Sequence, residues 1–332
     1  MSNPASAVAV LLPGATPEQS GAVLGAMRAV AETGGAATRS DRLALEGAAR
    51  YVFGHAGPFT FADLTPVTPA ALKAALAGTN LGNDAAKFLT VMALVDGKLD
   101  RAKIAAVLRY ADALGISERY LDEVREAAEG HLQEALADMT RCNMESVTGM
   151  PWEGDVNAWL VPYGGAGADP ALAQRFQALK SLDAETFGHA MWRHFTSNGY
   201  EFPGEPKALN VVFSLPHDSV HVLSGFDTSA RGELLASTFT AAMHPKFPMA
   251  GHILPVIFSW HLQVQINKVA GEASSALDPV VFWQAWAAGA AATVDTFSPQ
   301  WDFWEHVATP LEELRAHYSI PVDGVEQAAT VR

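Results

Sequence analysis

A single cysteine, Cys142, stands in 332 residues. An internal disulfide is excluded, and a lone thiol suits a reducing compartment, where it reads as a small buried hydrophobe rather than a nucleophile. Basic residues are scarce as well: 22 Lys and Arg against 36 Asp and Glu give a formal charge of -14. Phosphate backbones demand clustered cations, so nucleic acid is excluded as a partner, and adsorption to an acidic membrane by charge alone is disfavoured. No apolar run reaches the roughly 20 residues that span a bilayer. The apolar stretch in MSNPASAVAVLLPG has no Lys or Arg before it, so no secretory signal is expected and the chain reads as cytoplasmic. With 49% hydrophobic and 17% charged residues it is not disordered, and its length exceeds what one core usually holds.

Tryptophan is missing from the first 150 residues: all eight follow, as do nine of the eleven histidines. Between the two compositions, TGMPWEGDVNAWLVPYGGAGADP is dense in Gly and Pro with no sustained helical period. The expected organisation is a domain over 1–147, a linker over 148–172 and a second domain over 173–332. Neither half alternates Val, Ile and Thr between hairpin turns, so the expected fold class is all-α.

In the first half, AAKFLTVMALVDGKLDRAKIAAVLRYADALG carries apolar residues at helical spacing on both sides of Asp96-Gly97, which reads as helix, tight turn, helix. Residues 27–54 repeat the pattern loosely. The stretch LVDGKLDRAKIAAVLRYADALGI resembles the TerB-like (tellurite-resistance-type) helical domain over about 15–140. That family commonly carries an acidic residue where Lys103 stands here, so Asp96 and Asp100 are read as solvated turn and cap aspartates, not as metal ligands.

The second half holds PHDSVHVLSGFDTSARGE, residues 216–233. Pro216 suits the first turn of a helix starting near Ser214 and closing at Gly225. His217 and His221 then share a face, with Asp218 flanking it. Asp227 or Thr228 can cap a following helix whose first turn carries Glu233, and a short turn returns that carboxylate toward the histidines. Two imidazoles and two carboxylates suit a divalent cation.

With its spacing HDxxHx11E, this segment resembles the Coq4 family of ubiquinone biosynthesis. The likeness extends over about 175–320, through LDAETFGHAMWRHFTSNGYEFPG, FPMAGHILPVIF and WDFWEHVATPLEELRAHYSI. It departs from the family before the motif, at VVFSLP, and after Glu233, at Ser237 to Thr240. The resemblance implies a TerB-like bundle followed by a Coq4-like helical domain, with His217, Asp218, His221 and Glu233 as ligands of a divalent metal, zinc first, then iron or manganese. It implies decarboxylation and hydroxylation at the ring carbon bearing the carboxylate of a polyprenyl hydroxybenzoate. The implied partners are a prenylated aromatic or quinone-type lipid, other quinone-biosynthesis proteins, and the inner face of the membrane as a peripheral site. A non-catalytic lipid-binding adaptor with a structural metal is the alternative. Residues 247–266 offer an apolar helix to line a tunnel or a core; His244, His252 and His261 are expected to be core or capping residues.

Overall fold

The computed structural model describes residues 14–55, 59–266 and 271–321. The first thirteen residues of the N-terminal apolar stretch, and the end of the domain assigned to 173–332, lie outside them. Among the described residues every regular element is helical, and the strand-like pairings are two isolated bridges, Thr186 with Pro310 and Leu262 with Ser274. The chain forms two compact units, 14–132 with 278–287, and 133–277 with 288–321. The Gly/Pro-rich segment 148–172 thus lies within the second unit rather than between two bodies.

The first unit is built from α1 (Pro17–Ala31), α2 (Arg39–Gly47), α3 (Pro69–Ala75), α4 (Gly82–Leu94), α5 (Arg101–Leu114) and α6 (Arg119–Glu129). Local signals set their ends. Thr16 and Gln19 bond each other's backbone as a capping box, Thr38 and Asp41 do the same, and Asp100 accepts the amides of Ala102 and Lys103. Gly115, at φ 73°, closes α5 in the left-handed conformation that a Cβ disfavours. Phe88 of α4 meets Trp283 and Trp286 edge-on, with ring centroids 5.2 and 5.6 Å apart. A contiguous reading of the sequence assigns those two tryptophans to the other domain.

Asp100 is a cap as expected; Asp96 is not a solvated turn residue. Its carboxylate lies 2.9 Å from Lys103 Nζ, which also meets Asp41 at 3.0 Å, and all three side chains are nearly sealed. Burial alone would lower the Lys103 pKa, but hydrogen bonds and charge from Asp96 and Asp41 outweigh it and raise it.

The second unit contains α7 (Leu132–Thr148, from its second residue), α8 (Val156–Leu160), α9 (Pro170–Gln177), α10 (Phe187–Asn198), α11 (Val211–Ser224), α12 (Ala230–Met243) and α13 (Leu254–Trp260). The last four residues of α14 (Val281–Ala291), with α15 (Phe303–His306) and α16 (Leu311–His317), complete it. Two starts differ from the sequence reading. α11 begins five residues before Pro216, because Asn210 caps it by accepting the Val212 amide, so the proline sits inside the helix. α12 is capped by Ser229, which accepts from Gly232 N, while Asp227 in turn accepts from the Ser229 amide and hydroxyl. The apolar stretch 247–266 is not one helix. Pro248–Ile253 is a π-helical turn entered through Phe247 at φ 50°, and α13 follows.

Candidate metal centre

Helices α10, α11 and α12 bring the site together. α11 ends at Gly225, φ 78°, and its last carbonyls, Val222 O and Leu223 O, accept from the buried Arg315 guanidinium at 2.9 Å each. That fixes the helix end beside His221. The turn through 225–229 then starts α12, whose first turn carries Glu233 back toward α11.

His221 is 3% exposed, and its Nδ1–H donates to the Phe226 carbonyl at 3.1 Å. That bond assigns the tautomer: Nε2 is left as a lone pair. It points at His217 Nε2, 3.2 Å away, and at Glu233 Oε2, 3.6 Å away; His217 Nε2 to Glu233 Oε2 is 3.2 Å. Burial would raise the Glu233 carboxyl, but hydrogen bonds and charge from His217 and His221 hold it well below the usual carboxylate range. For His221, burial lowers the pKa while Glu233, Asp218 and the Phe226 carbonyl raise it, and the net direction is upward.

Three acceptor-type atoms converging on one point repel unless a proton or a cation lies among them. The spacing suits a cation: ligand atoms at about 2.1 Å from a tetrahedrally bound ion lie about 3.4 Å apart. Two imidazole nitrogens and one carboxylate oxygen form a borderline donor set that fits zinc, iron or manganese. Among the described residues, His217, His221 and Glu233 therefore fit a divalent metal.

Asp218 does not join that triangle. Its Oδ1 accepts from His194 Nε2 of α10 at 3.1 Å, and the His194 ring stacks on His221 with centroids 5.7 Å apart. The HDxxH spacing gives no sign of His194, which lies 24 residues before Asp218. Phe187, Met191 and Phe195 mark the buried face of α10 at helical spacing, and a histidine next to Phe195 on that face requires a polar partner, which was the available signal.

A cavity of about 600 Å³ opens from the cluster. His217, Asp218 and Glu233 lie in its wall together with Met144, Leu160 and Phe213. The stretch 247–266 contributes Gly251, His252, Pro255, Val256 and Trp260, so part of it borders open space.

No family model matches the sequence, and no curated protein matches it. Among solved structures the chain is similar, at 19% identity and a TM-score of 0.32, to a provisionally named ubiquinone biosynthesis protein of Nostoc punctiforme PCC 73102. The alignment spans 60% of this chain and 94% of that one.

Proposed function

We propose that this chain is a metal-dependent, Coq4-like protein of ubiquinone or related prenylated aromatic metabolism. It would act at the ring carbon that carries the carboxylate of a polyprenyl hydroxybenzoate. The observation that carries the reading is that His217 and Glu233, two members of the three-residue cluster, line a large, partly apolar cavity. Structural zinc sites are closed by four protein ligands, whereas catalytic ones keep a position for substrate or water. With Asp218 engaged by His194, the cluster offers His217, His221 and Glu233 and leaves such a position.

In this reading those three residues hold the cation, most simply zinc, which supplies Lewis acidity toward a carboxylate or phenolate. The Phe226 carbonyl keeps the His221 ring in its ligating tautomer, and Arg315 anchors the end of the helix that presents it. The apolar wall accommodates a prenyl chain and excludes water. Replacing the carboxyl group by hydroxyl requires an oxidant from outside the chain, dioxygen by its availability.

The large apolar or aromatic side chains exposed among the described residues, Met150, Val161, Tyr200 and Val212, all belong to the second unit, which supports delivery of the ligand from a lipid surface. Among the described residues no helix is long and apolar enough to cross a membrane.

Purified protein loaded in turn with zinc, iron and manganese, then given a polyprenyl hydroxybenzoate in air, is expected to release carbon dioxide with one of them. Stoichiometric metal and tight ligand binding without turnover would instead support the adaptor reading.

A further inference from the structure

The cavity has a second polar feature remote in sequence from the HDxxH segment. His252 is 5% exposed and lies on the π-helical turn Pro248–Ile253, directly after a residue, Phe247, held at positive φ. Single π turns and strained non-glycine backbone concentrate at functional sites, because the surrounding fold must maintain them. The His252 ring is also tied from behind. Its Nε2 lies 2.8 Å from Ser146 Oγ, and the same hydroxyl lies 3.0 Å from the Lys246 carbonyl.

A serine hydroxyl has one proton, and a carbonyl can only accept. Ser146 therefore donates to Lys246 O, and His252 Nε2–H donates to Ser146 Oγ. The other ring nitrogen, Nδ1, is left as a lone pair. Among the described residues no donor reaches it, and it is not sealed by neighbouring atoms as His244 Nε2 is. His252 lines the cavity that also contains His217, Asp218 and Glu233. The nearest aromatic neighbours, His244 and Phe297, meet it through ring contacts and offer Nδ1 no hydrogen bond.

We infer that His252 is a specificity-determining residue: it presents Nδ1 to the cavity as a neutral acceptor for a hydroxyl proton of the ligand. The inference rests on the reading that the cavity takes a prenylated aromatic, and it narrows that class to phenols and enols over their ethers. Burial keeps the ring uncharged, since its pKa is pushed down to about 3 by desolvation first and then by the neighbouring His244 and His217. A neutral imidazole whose Nε2–H is already committed can accept from a hydroxyl but offers nothing to an ether oxygen. A site built to pair with a hydroxyl rejects the analogue that lacks it, because its own polar atom is left unmatched.

The test is calorimetric binding of geranylated para-hydroxybenzoate and of its para-methoxy counterpart to the metal-loaded full chain. Wild type is expected to favour the phenol by roughly tenfold, the worth of one hydrogen bond. In His252→Gln the amide reaches the Ser146 position and leaves the Nδ1 position empty, so the preference is lost. In His252→Asn the amide oxygen stands near the Nδ1 position, so much of the preference survives. Should both variants fail to fold by circular dichroism, Ser146→Ala serves instead. It frees the tautomer and is expected to lower the preference severalfold.

Equal binding of phenol and ether by wild type overturns the inference and leaves the cavity reading standing. Undiminished preference in His252→Gln, or in Ser146→Ala where that variant is needed, does the same. If wild type binds neither ligand, the cavity reading fails and the inference with it.

Discussion

Asp41, Lys103 and Asp96 in the first unit, and His217, His221 and Glu233 in the second, are both clusters of ionisable side chains that are wholly or partly buried, yet their charges are arranged oppositely. In the first, an ammonium sits at 3.0 and 2.9 Å from two carboxylates, so the cation is part of the chain. In the second, three groups that can all accept converge within 3.2 to 3.6 Å, and no lysine or arginine lies among them in that triangle, so a proton or a bound cation must balance them. A buried polar cluster complete in itself stabilises or specifies a fold, whereas an incomplete one is a candidate binding site. The comparison also gives the reason for not placing a metal at Asp96, since Lys103 already occupies the place between the carboxylates.

The largest effect is expected from removing the built-in cation. Lys103→Met keeps the length and apolar stem of the side chain but leaves Asp41 and Asp96 buried without a partner, which costs on the order of 3–5 kcal/mol. Denaturant unfolding of the full chain should show that loss, while the metal content of the second unit stays at the wild-type value. A loss below about 1 kcal/mol would mean that the triad is solvated in solution and that the contrast between the clusters is false.

Next in size is removal of the proposed cation site. His221→Ala takes out the most buried ligand, and metal analysis after native mass spectrometry is expected to find no stoichiometric ion, with the helical circular dichroism intact. For wild type, saturating zinc at about a hundred times its dissociation constant should add about 2.7 kcal/mol of stability. Acid should expel the ion as the imidazoles take up protons. Metal retained by His221→Ala at the wild-type level sinks the assignment.

Asp218 sharpens the boundary of the cluster. If it supports the site through His194, Asp218→Asn should weaken metal affinity by about ten- to a hundredfold without abolishing it, the usual cost of a supporting group. Glu233→Gln should abolish stoichiometric binding. Equal, complete loss in both variants would make Asp218 a direct ligand, as its place in HDxxHx11E suggests.

The sequence was informative where chemistry is local in the chain. Helical period, the Asp100 cap and the i, i+4 pairing of His217 with His221 follow from spacing alone, and the turn that returns Glu233 follows from Gly225 and the polar residues after it. What was not legible depends on segments distant in sequence. Nothing in 278–287 signals that these residues group with 14–132, because a Trp-rich helix suits either core. The diversion of Asp218 to His194 spans 24 residues and depends on how two helices face each other. Pro216 points to a helix start beside it because proline favours N1, but Asn210, six residues earlier, caps α11 and leaves the proline inside the helix.

The smallest expected effect is a slope. His252 has its pKa depressed to about 3 in the folded chain, against about 6.5 when unfolded. Above pH 6.5 both states carry a neutral ring and the residue makes no pH-dependent difference. Between about 6.5 and 3 the unfolded chain binds a proton that the folded chain refuses, so stability falls as pH falls. One group contributes at most about 1.4 kcal/mol per pH unit in that window. His252→Gln removes the group, so its stability at acid pH should decline less steeply than that of wild type, while near pH 8 only the direct cost of the substitution remains. Chemical unfolding at pH 8, 6 and 5, carried out without metal so that ion release enters neither protein, measures the difference. Parallel declines would show that His252 is open to water and charges freely, which would also remove the neutral acceptor from the cavity wall.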